Sequence, residues 1–389
     1  MRYYIIAGEA SGDLHGANLM KSLYSQDMDA HIRFWGGDLM EEVWKKNNPT
    51  CDSGLVTHYK QGAVMGFFEL FKIAGKLINN LKGCKEDILN FRTDVVILID
   101  YPGFNLKIAK FAHCHKLPVY YYIAPKVWAS REARIRKIKK YVDKLFIIFP
   151  FEIPYFKKHG IEAIYCGNPL IDTIENSEAF RSSREEWLEN NKLEDRPIIA
   201  LLAGSRKNEI NTMMPVLVEF SRKIKKINRY SNYQFIIAGA PARTIKDYSI
   251  YYTEDDDISV IFSQMHFIVK NAEVAIVNSG TASLETALLG TPQVVGYKMN
   301  PFTYKIAQKI IKIKYISLSN LILNKLAFKE LIQNDCNSDE LIKEIQMIIE
   351  DEDYRQTMMA DYRRLKELLG NGGASDKIAK LMIKLLKNE

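Results

Sequence analysis

IIAGEASGD, residues 5 to 13, is a short apolar run that enters a glycine-punctuated polar turn. A strand, a tight turn and a helix start in this order form a ligand site in open α/β domains. The first helical N–H groups are unpaired there and carry the positive end of the helix dipole. The side chains here are acidic, with Glu9 and Asp13 in the turn and no Lys or Arg. IIALLAGSRKNE, residues 198 to 209, repeats the plan with basic residues, placing Ser205, Arg206 and Lys207 at the expected helix start.

Outward from these two turns, β-rich runs alternate with helix-period segments along most of the chain. The first half carries RYYIIAG, IRFWGG, DVVILID, PVYYYIA, KLFIIF and EAIYCG; the second carries PIIALLAG, YQFIIAG, ISVIF, EVAIVNSG and PQVVGYK. This pattern predicts parallel sheets covered by helices on both faces. A chain of 389 residues is too long for one ordinary core, so two such domains are expected. The polar, turn-rich stretch GNPLIDTIENSEAF, residues 167 to 180, marks the boundary. The fold class is therefore α/β, two Rossmann-like doubly wound domains facing a cleft in which ligands are expected.

The difference between the turns separates two ligand chemistries. Arg206 and its neighbours favour an anion. Glu9, Asp13 and His15 would repel a phosphate but can accept hydrogen bonds from sugar hydroxyls or act as acid and base. Asp13 as a simple helix cap and His15 as a hydrogen-bonded structural residue remain open. Gly8, Gly12 and Gly16 do not have the G-x-G-x-x-G spacing, and no G-x-x-x-x-G-K-[ST] occurs, so dinucleotide and P-loop functions lose their main support. A third loop, VNSGTASLETALLGTP at residues 277–292, sets hydroxyls and Glu285 at a helix start. It reads equally well as an ordinary cap or as a ribose and phosphate site.

Composition narrows the setting. The five cysteines are scattered and include no C-x-x-C pair, which argues for a reducing compartment and against structural zinc. The triplet His113-Cys114-His115 reads as a polar helix end. No apolar run approaches the ~20 residues of a membrane span, and no signal peptide is evident, so a cytoplasmic location is expected. The net charge of +7 and a pI near 8.9 leave room for nucleic acid, an anionic lipid surface or a phosphorylated substrate. The acidic run EDDD, residues 254–257, reads as a solvated turn, and no D-x-D pair stands on a cleft loop.

Taken in order, AGEASGDLHGA, AVMGFFEL, DVVILIDYPGFN, APKVWAS, FPFE, AGSRKNEI, NSGTASLETALLGTPQVVGYKMNPFTY and YISLSNLI resemble the lipid-A-disaccharide synthase family over nearly the whole chain. That family consists of inverting glycosyltransferases of the two-domain GT-B architecture. The resemblance implies transfer of 2,3-diacylglucosamine from UDP to the 6-hydroxyl of 2,3-diacylglucosamine 1-phosphate. It implies an N-terminal domain (1–168) for the lipid acceptor, base and membrane contact. A C-terminal domain (169–354) then takes the UDP-sugar donor, and helices at 355–389 pack back on the first domain or a partner chain.

Residue by residue, the resemblance makes Asp100 the general base, although a strand-end Asp capping the next helix is the plainer alternative. Glu9, Ser11, Asp13, His15 and Asn105 fall on the acceptor side. Gly204, Ser205, Arg206, Glu209, Ser279, Gly280, Thr281, Glu285 and Asn320 fall on the UDP side. With Arg206 and helix N–H groups stabilising the departing diphosphate, no metal or other cofactor is expected. Gly103 and Ser130 depart from the family pattern, where an Asp and an aromatic are usual.

Diacylated sugars lie in a bilayer, so a greasy and basic surface is expected on the enzyme. Val64, Met65, Phe67, Phe68 and Phe71, beside Arg134 and Lys137 of SREARIRKIKKY, are its candidates, on the cytoplasmic face of the inner membrane. The resemblance also implies a homodimer through the C-terminal region and no nucleic-acid partner. Another GT-B enzyme using a UDP-sugar, such as a UDP-N-acetylglucosamine epimerase or a cell-wall glycosyltransferase, is the nearest alternative. A nucleic-acid-binding protein is a more distant one.

Overall fold

The computed structural model describes residues 1–49, 54–61, 70–300, 304 and 314–388, with the backbone alone for 61 and 70–77. The chain divides into two units, the first formed by Met1–Pro169 with Gly372–Glu389 and the second by Leu170–Asn371.

The first unit holds strands β1 (Arg2–Ala7), β2 (His31–Gly36), β3 (Leu55–His58), β4 (Val95–Ile99), β5 (Val119–Tyr122), β6 (Lys144–Ile147) and β7 (Ala163–Tyr165). They form one seven-stranded sheet in the order β3-β2-β1-β4-β5-β6-β7. Every pairing is parallel. Strands buried on both faces read as continuous apolar runs, and VVILI of β4 is buried throughout. The edge strand β3, with LVTH half-buried along its length, lies outside the strand runs read from the sequence because it is short and polar at one end.

Helices Ala10–Gln26 and Asp38–Asn47 cover one face, where Leu19, Met20, Leu23 and Met40 join Ile5, Phe34 and Ile97 in the core. The C-terminal helix Ala374–Lys387 completes that face by burying Ile378, Ala379, Met382 and Ile383. Each large apolar side chain so buried is worth about 1.5–3 kcal/mol, enough to hold the tail here. The hydroxyl of Ser22 bonds Asp376, and Gln26 Nε2 donates to the Asp376 carbonyl (3.1 Å). The return to the first unit therefore begins at Gly372 and not at residue 355. Helix Glu352–Leu369 stays in the second unit, where Tyr362 packs against Phe328 and takes a hydrogen bond from Gln293 (3.3 Å).

The second unit has six parallel strands: β8 (Ile198–Leu202), β9 (Gln234–Gly239), β10 (Ile258–Phe262), β11 (Val274–Asn278), β12 (Gln293–Tyr297) and β13 (Glu330–Ile332). Their order is β10-β9-β8-β11-β12-β13. The three-residue β13 is too short to register as a strand in the sequence. The EDDD segment is not a free turn. Asp256 is buried and forked by Arg222 (2.6 and 2.8 Å), while Asp257 takes Arg196 (2.8 and 3.0 Å) and Lys225 (2.5 Å).

Both sheets reverse winding direction once, between β1 and β4 and between β8 and β11. Ligands of open α/β sheets bind beyond the carboxyl ends of the strands at such reversals. The turns after β1 and β4 carry Glu9 and Asp100, and those after β8 and β11 carry Arg206 and Ser279. Among the described residues no helix is long and apolar enough to cross a membrane.

Candidate active site

In the first unit, Asp100 follows the last residue of β4 with φ of 41°, and Tyr101 follows with 46°. Left-handed backbone costs a non-glycine residue roughly 1–3 kcal/mol and persists only where the surroundings impose it. Two donors do so here. The Asp100 carbonyl accepts the Tyr121 hydroxyl (2.5 Å) and the Asn105 Nδ2 (2.8 Å). Ile123, one strand over, has φ of 62°, unusual for a β-branched side chain. The strain thus lies at the ends of neighbouring strands β4 and β5.

The Asp100 carboxyl is held above the usual aspartate range, chiefly by burial and then by the negative charge of Glu9. Lys126 and Arg134 pull in the other direction. Arg134, expected at a membrane surface, is half-buried instead and acts on Asp100; Lys137 is exposed. Tyr101 stacks on Phe104 at 5.6 Å, and its ring passes so close to Gly8 that a Cβ there would lie 2.3 Å from it.

The acidic turn divides by role. Glu9 and Ser11 are exposed. Asp13 is buried, and its carboxylate accepts the N–H groups of Gly37 (2.7 Å), Leu39 (3.1 Å) and Met40 (3.1 Å). It caps helix Asp38–Asn47, so its charge is spent on backbone and not on a sugar. His15 lies in the first turns of helix Ala10–Gln26 with Nδ1 buried and without a partner, and burial lowers its pKa to about 4. Asn105, assigned to the acceptor, is fully buried and holds the Asp100 carbonyl from below the site.

In the second unit, Gly204 (φ 108°) turns the chain after β8 where any Cβ would meet Asn278 and Glu209 within 2.7 Å. Arg206 is 79% exposed. The N–H groups of Ser205 and Arg206 both reach Glu209 Oε2 (3.0 and 3.1 Å), and Arg206 Nη1 reaches Oε1 (3.1 Å). Glu209, expected to touch UDP, faces its own helix start and organises Arg206. Arg243, unnoticed in the sequence, brings a second guanidinium to the same turn through the Ser205 carbonyl (3.3 Å).

After β11, Gly280 and Thr281 are exposed and Glu285 is half-buried, with Oε2 3.4 Å from His266 Nε2. His266 Nδ1 lies 3.0 Å from Ser177 Oγ, making a short polar chain behind Glu285. Nothing in the sequence around His266 signals this contact. Ser279 donates to the Ile316 carbonyl (3.1 Å). Asn320, assigned to UDP, is fully buried: it donates to Phe328 O (3.0 Å) and Glu330 Oε1 (2.8 Å) and accepts from Ala327 N (2.8 Å). It fixes the start of helix Leu318–Leu323, next to the Ile316 carbonyl that Ser279 grips. Val64, Met65, Phe67 and Phe68 lie outside the described residues, as does the side chain of Phe71.

The lipid-A-disaccharide synthetase family model matches residues 3–382. The chain belongs to this family. A lipid-A-disaccharide synthase from Geobacter sulfurreducens is 32% identical over 387 residues, covering 99% of this chain and 97% of the relative. One from Syntrophus aciditrophicus is 34% identical over 384 residues, covering 98% and 97%. This family member is therefore a glycosyltransferase of lipid A biosynthesis.

Among solved structures, the Staphylococcus aureus MnaA–UDP co-structure superimposes with a TM-score of 0.68 at 15% identity, covering 99% of this chain and 97% of that one. The Methanocaldococcus jannaschii UDP-GlcNAc 2-epimerase in complex with UDP-GlcNAc and UDP gives 0.65 at 16%, covering 99% and 100%. These likenesses establish the GT-B fold that lipid-A-disaccharide synthases share with epimerases.

Proposed function

We propose that the protein transfers 2,3-diacylglucosamine from UDP-2,3-diacylglucosamine to the 6-hydroxyl of 2,3-diacylglucosamine 1-phosphate. The products are the β-1,6 disaccharide 1-phosphate and UDP, with inversion at the anomeric carbon. The observation that carries this reading is Asp100: a carboxylate at the winding reversal of the first sheet, on strained backbone, with its proton affinity raised. A raised proton affinity suits a general base, since a carboxylate that holds a proton more tightly is the better acceptor of one.

Asp100 takes the proton of the acceptor 6-hydroxyl as that oxygen attacks the donor C1, and the C1–O bond to UDP breaks on the opposite face. Glu9 and Ser11, the exposed polar residues of the neighbouring turn, hold acceptor hydroxyls. Arg206, with Arg243 beside it, neutralises the charge that develops on the diphosphate, and Glu285 takes the ribose hydroxyls. These cations do the work that a divalent ion does elsewhere, so the reaction proceeds without metal. UDP-bound neighbours of the same fold support a UDP-sugar donor.

The enzyme acts from the cytoplasmic face of the inner membrane. Exposed Lys137 and the basic segment around it meet anionic lipid. A homodimer through the C-terminal region and the donor and acceptor roles of the two units belong to the same reading.

Calorimetry with UDP and a detergent transfer assay test this division. Arg206→Ala is expected to lose UDP affinity, whereas Asp100→Ala keeps UDP affinity and loses turnover. The reverse pattern would overturn the assignment.

A further inference from the structure

The loops that follow β5 and β6 are joined by a carboxylate that the transfer chemistry does not use. Glu152 opens helix Glu152–Lys158 and is 1% exposed. Its Oε1 accepts Trp128 Nε1–H (3.0 Å) and its Oε2 accepts the Phe149 N–H (3.1 Å). Trp128 meets Phe151 edge-on at 5.0 Å, and Phe151 stacks on Phe149 at 5.6 Å. One side chain thus pins the loop after β5 to the turn after β6. Burying an acid at this depth is unfavourable unless its oxygens are satisfied, and here each oxygen has a donor.

The pinned loop carries Lys126. It leaves β5 through the left-handed Ile123, a conformation that outside contacts must maintain, and Lys126 follows three residues later, exposed. Strands β4, β5 and β6 are neighbours, so Asp100, this loop and the turn holding Glu152 open on the same edge of the sheet. Lys126 is the cation common to both acids: its charge favours ionisation of Asp100 and of Glu152. Around Asp100 the other charged groups are Glu9 and Arg134, with Tyr101 and Tyr121 beside it. Around Glu152 the remaining influences are Trp128 and the Phe149 and Ile148 N–H groups; burial lifts its pKa to about 7.

We propose that Glu152 is a positioning residue: by gripping Trp128 and Phe149 it fixes the loop of residues 123–130, keeping Lys126 within electrostatic reach of Asp100. Without that grip Trp128 is released, the loop relaxes from the strained Ile123, and Asp100 loses its nearby cation. Its catalytic consequence rests on the reading of Asp100 as the base; the electrostatic coupling itself does not.

The test is a ¹³C NMR titration of the full-length protein carrying labelled aspartate carboxyls, with the Asp100 resonance identified by its loss in Asp100→Asn. Glu152→Ala and Trp128→Phe are both expected to raise the Asp100 midpoint by about 0.5–1 pH unit, as loss of a nearby opposite charge requires. Trp128→Phe cuts the tie while leaving Glu152 in place, and so serves if Glu152→Ala folds poorly. Lys126→Met is expected to give the same shift, and combining it with Trp128→Phe to add nothing further. A purely structural Glu152 would lower the melting temperature and leave the Asp100 midpoint unmoved, and that result, or additive shifts, overturns the proposal. The readout needs no turnover, so coupling without transferase activity would count against the proposed reaction alone.

Discussion

The hydroxyl of Tyr121, on β5, donates to the main-chain carbonyl of Asp100 at 2.5 Å, across from the Asn105 amide at 2.8 Å. A residue in the left-handed region is thereby held by one donor from the next strand and one from the next helix. The carboxylate of Asp100 gets its direction from this backbone. Tyr121→Phe removes one of the two donors and is expected to lower stability by about 1 kcal/mol. It should lower kcat several-fold while UDP affinity is unchanged. Denaturant titration, initial rates and calorimetry measure the three quantities, and a loss of UDP binding would separate Tyr121 from the role given to it.

The raised proton affinity of Asp100 fixes the sign of its pH dependence. The folded protein binds this proton more tightly than the unfolded chain. The stability Asp100 contributes is therefore complete below the ordinary aspartate range and is lost as pH rises through the raised value. Asp100→Asn should raise the melting temperature at neutral pH, with the gain gone by about pH 3. Glu9→Gln removes a charge that raises the Asp100 value, so the acid limb of kcat/KM should move to lower pH. A limb that stays in place would remove Glu9 from the electrostatics of Asp100.

Gly8 and Tyr101 test whether the ring position matters. A Cβ at residue 8 would lie 2.3 Å from the Tyr101 ring, a distance no pair of carbons tolerates. Gly8→Ala should displace the ring from Phe104 and cost at least about 1 kcal/mol of stability together with activity. Tyr101→Gly relieves both the contact and the left-handed strain, so the double variant should be more stable than Gly8→Ala alone. Simple additivity in thermal unfolding would place the damage elsewhere.

Arg206 and Glu209 are expected to separate in a binding experiment. If Arg206 binds the diphosphate as proposed, Arg206→Ala removes charged hydrogen bonds worth about 1.5–3 kcal/mol, or roughly 10- to 100-fold in UDP affinity. The Arg206–Glu209 pair itself is exposed on the arginine side, and such pairs contribute about 0–1 kcal/mol. Glu209→Gln, which removes a negative charge beside the proposed diphosphate position, should bind UDP at least as tightly as the wild type. A loss as large as that of Arg206→Ala would mean that Glu209 contacts the ligand.

The two turns and their opposite chemistry were legible in the sequence because strand, glycine and helix start are local patterns. The place of Asp100 at the end of β4 was legible because VVILI is an apolar run buried on both faces, whereas its role as a base came only from the resemblance. Side-chain direction was not. Asp13 stands in the same motif as exposed Glu9 and Ser11, and Asn105 and Asn320 stand in other motifs of the resemblance, yet each turns inward to satisfy backbone groups. The N–H groups capped by Asp13 belong to residues 24 to 27 positions further on, and their approach depends on β2 packing beside β1. Arg134 reads as one of many surface cations, and only the placement of its segment brings it to Asp100. Glu152 lies in a motif used for the resemblance, but its burial comes from aromatic residues of two separate loops.

The most direct measurement is mass spectrometry and proton NMR of the lipid product after purified protein is mixed with UDP-2,3-diacylglucosamine and 2,3-diacylglucosamine 1-phosphate in detergent with EDTA, Asp100→Asn alongside. A disaccharide 1-phosphate with a β anomeric coupling is expected from the wild type alone. Wild-type protein that binds UDP but yields no disaccharide, or an Asp100→Asn variant that makes it at the wild-type rate, would contradict the proposed reaction.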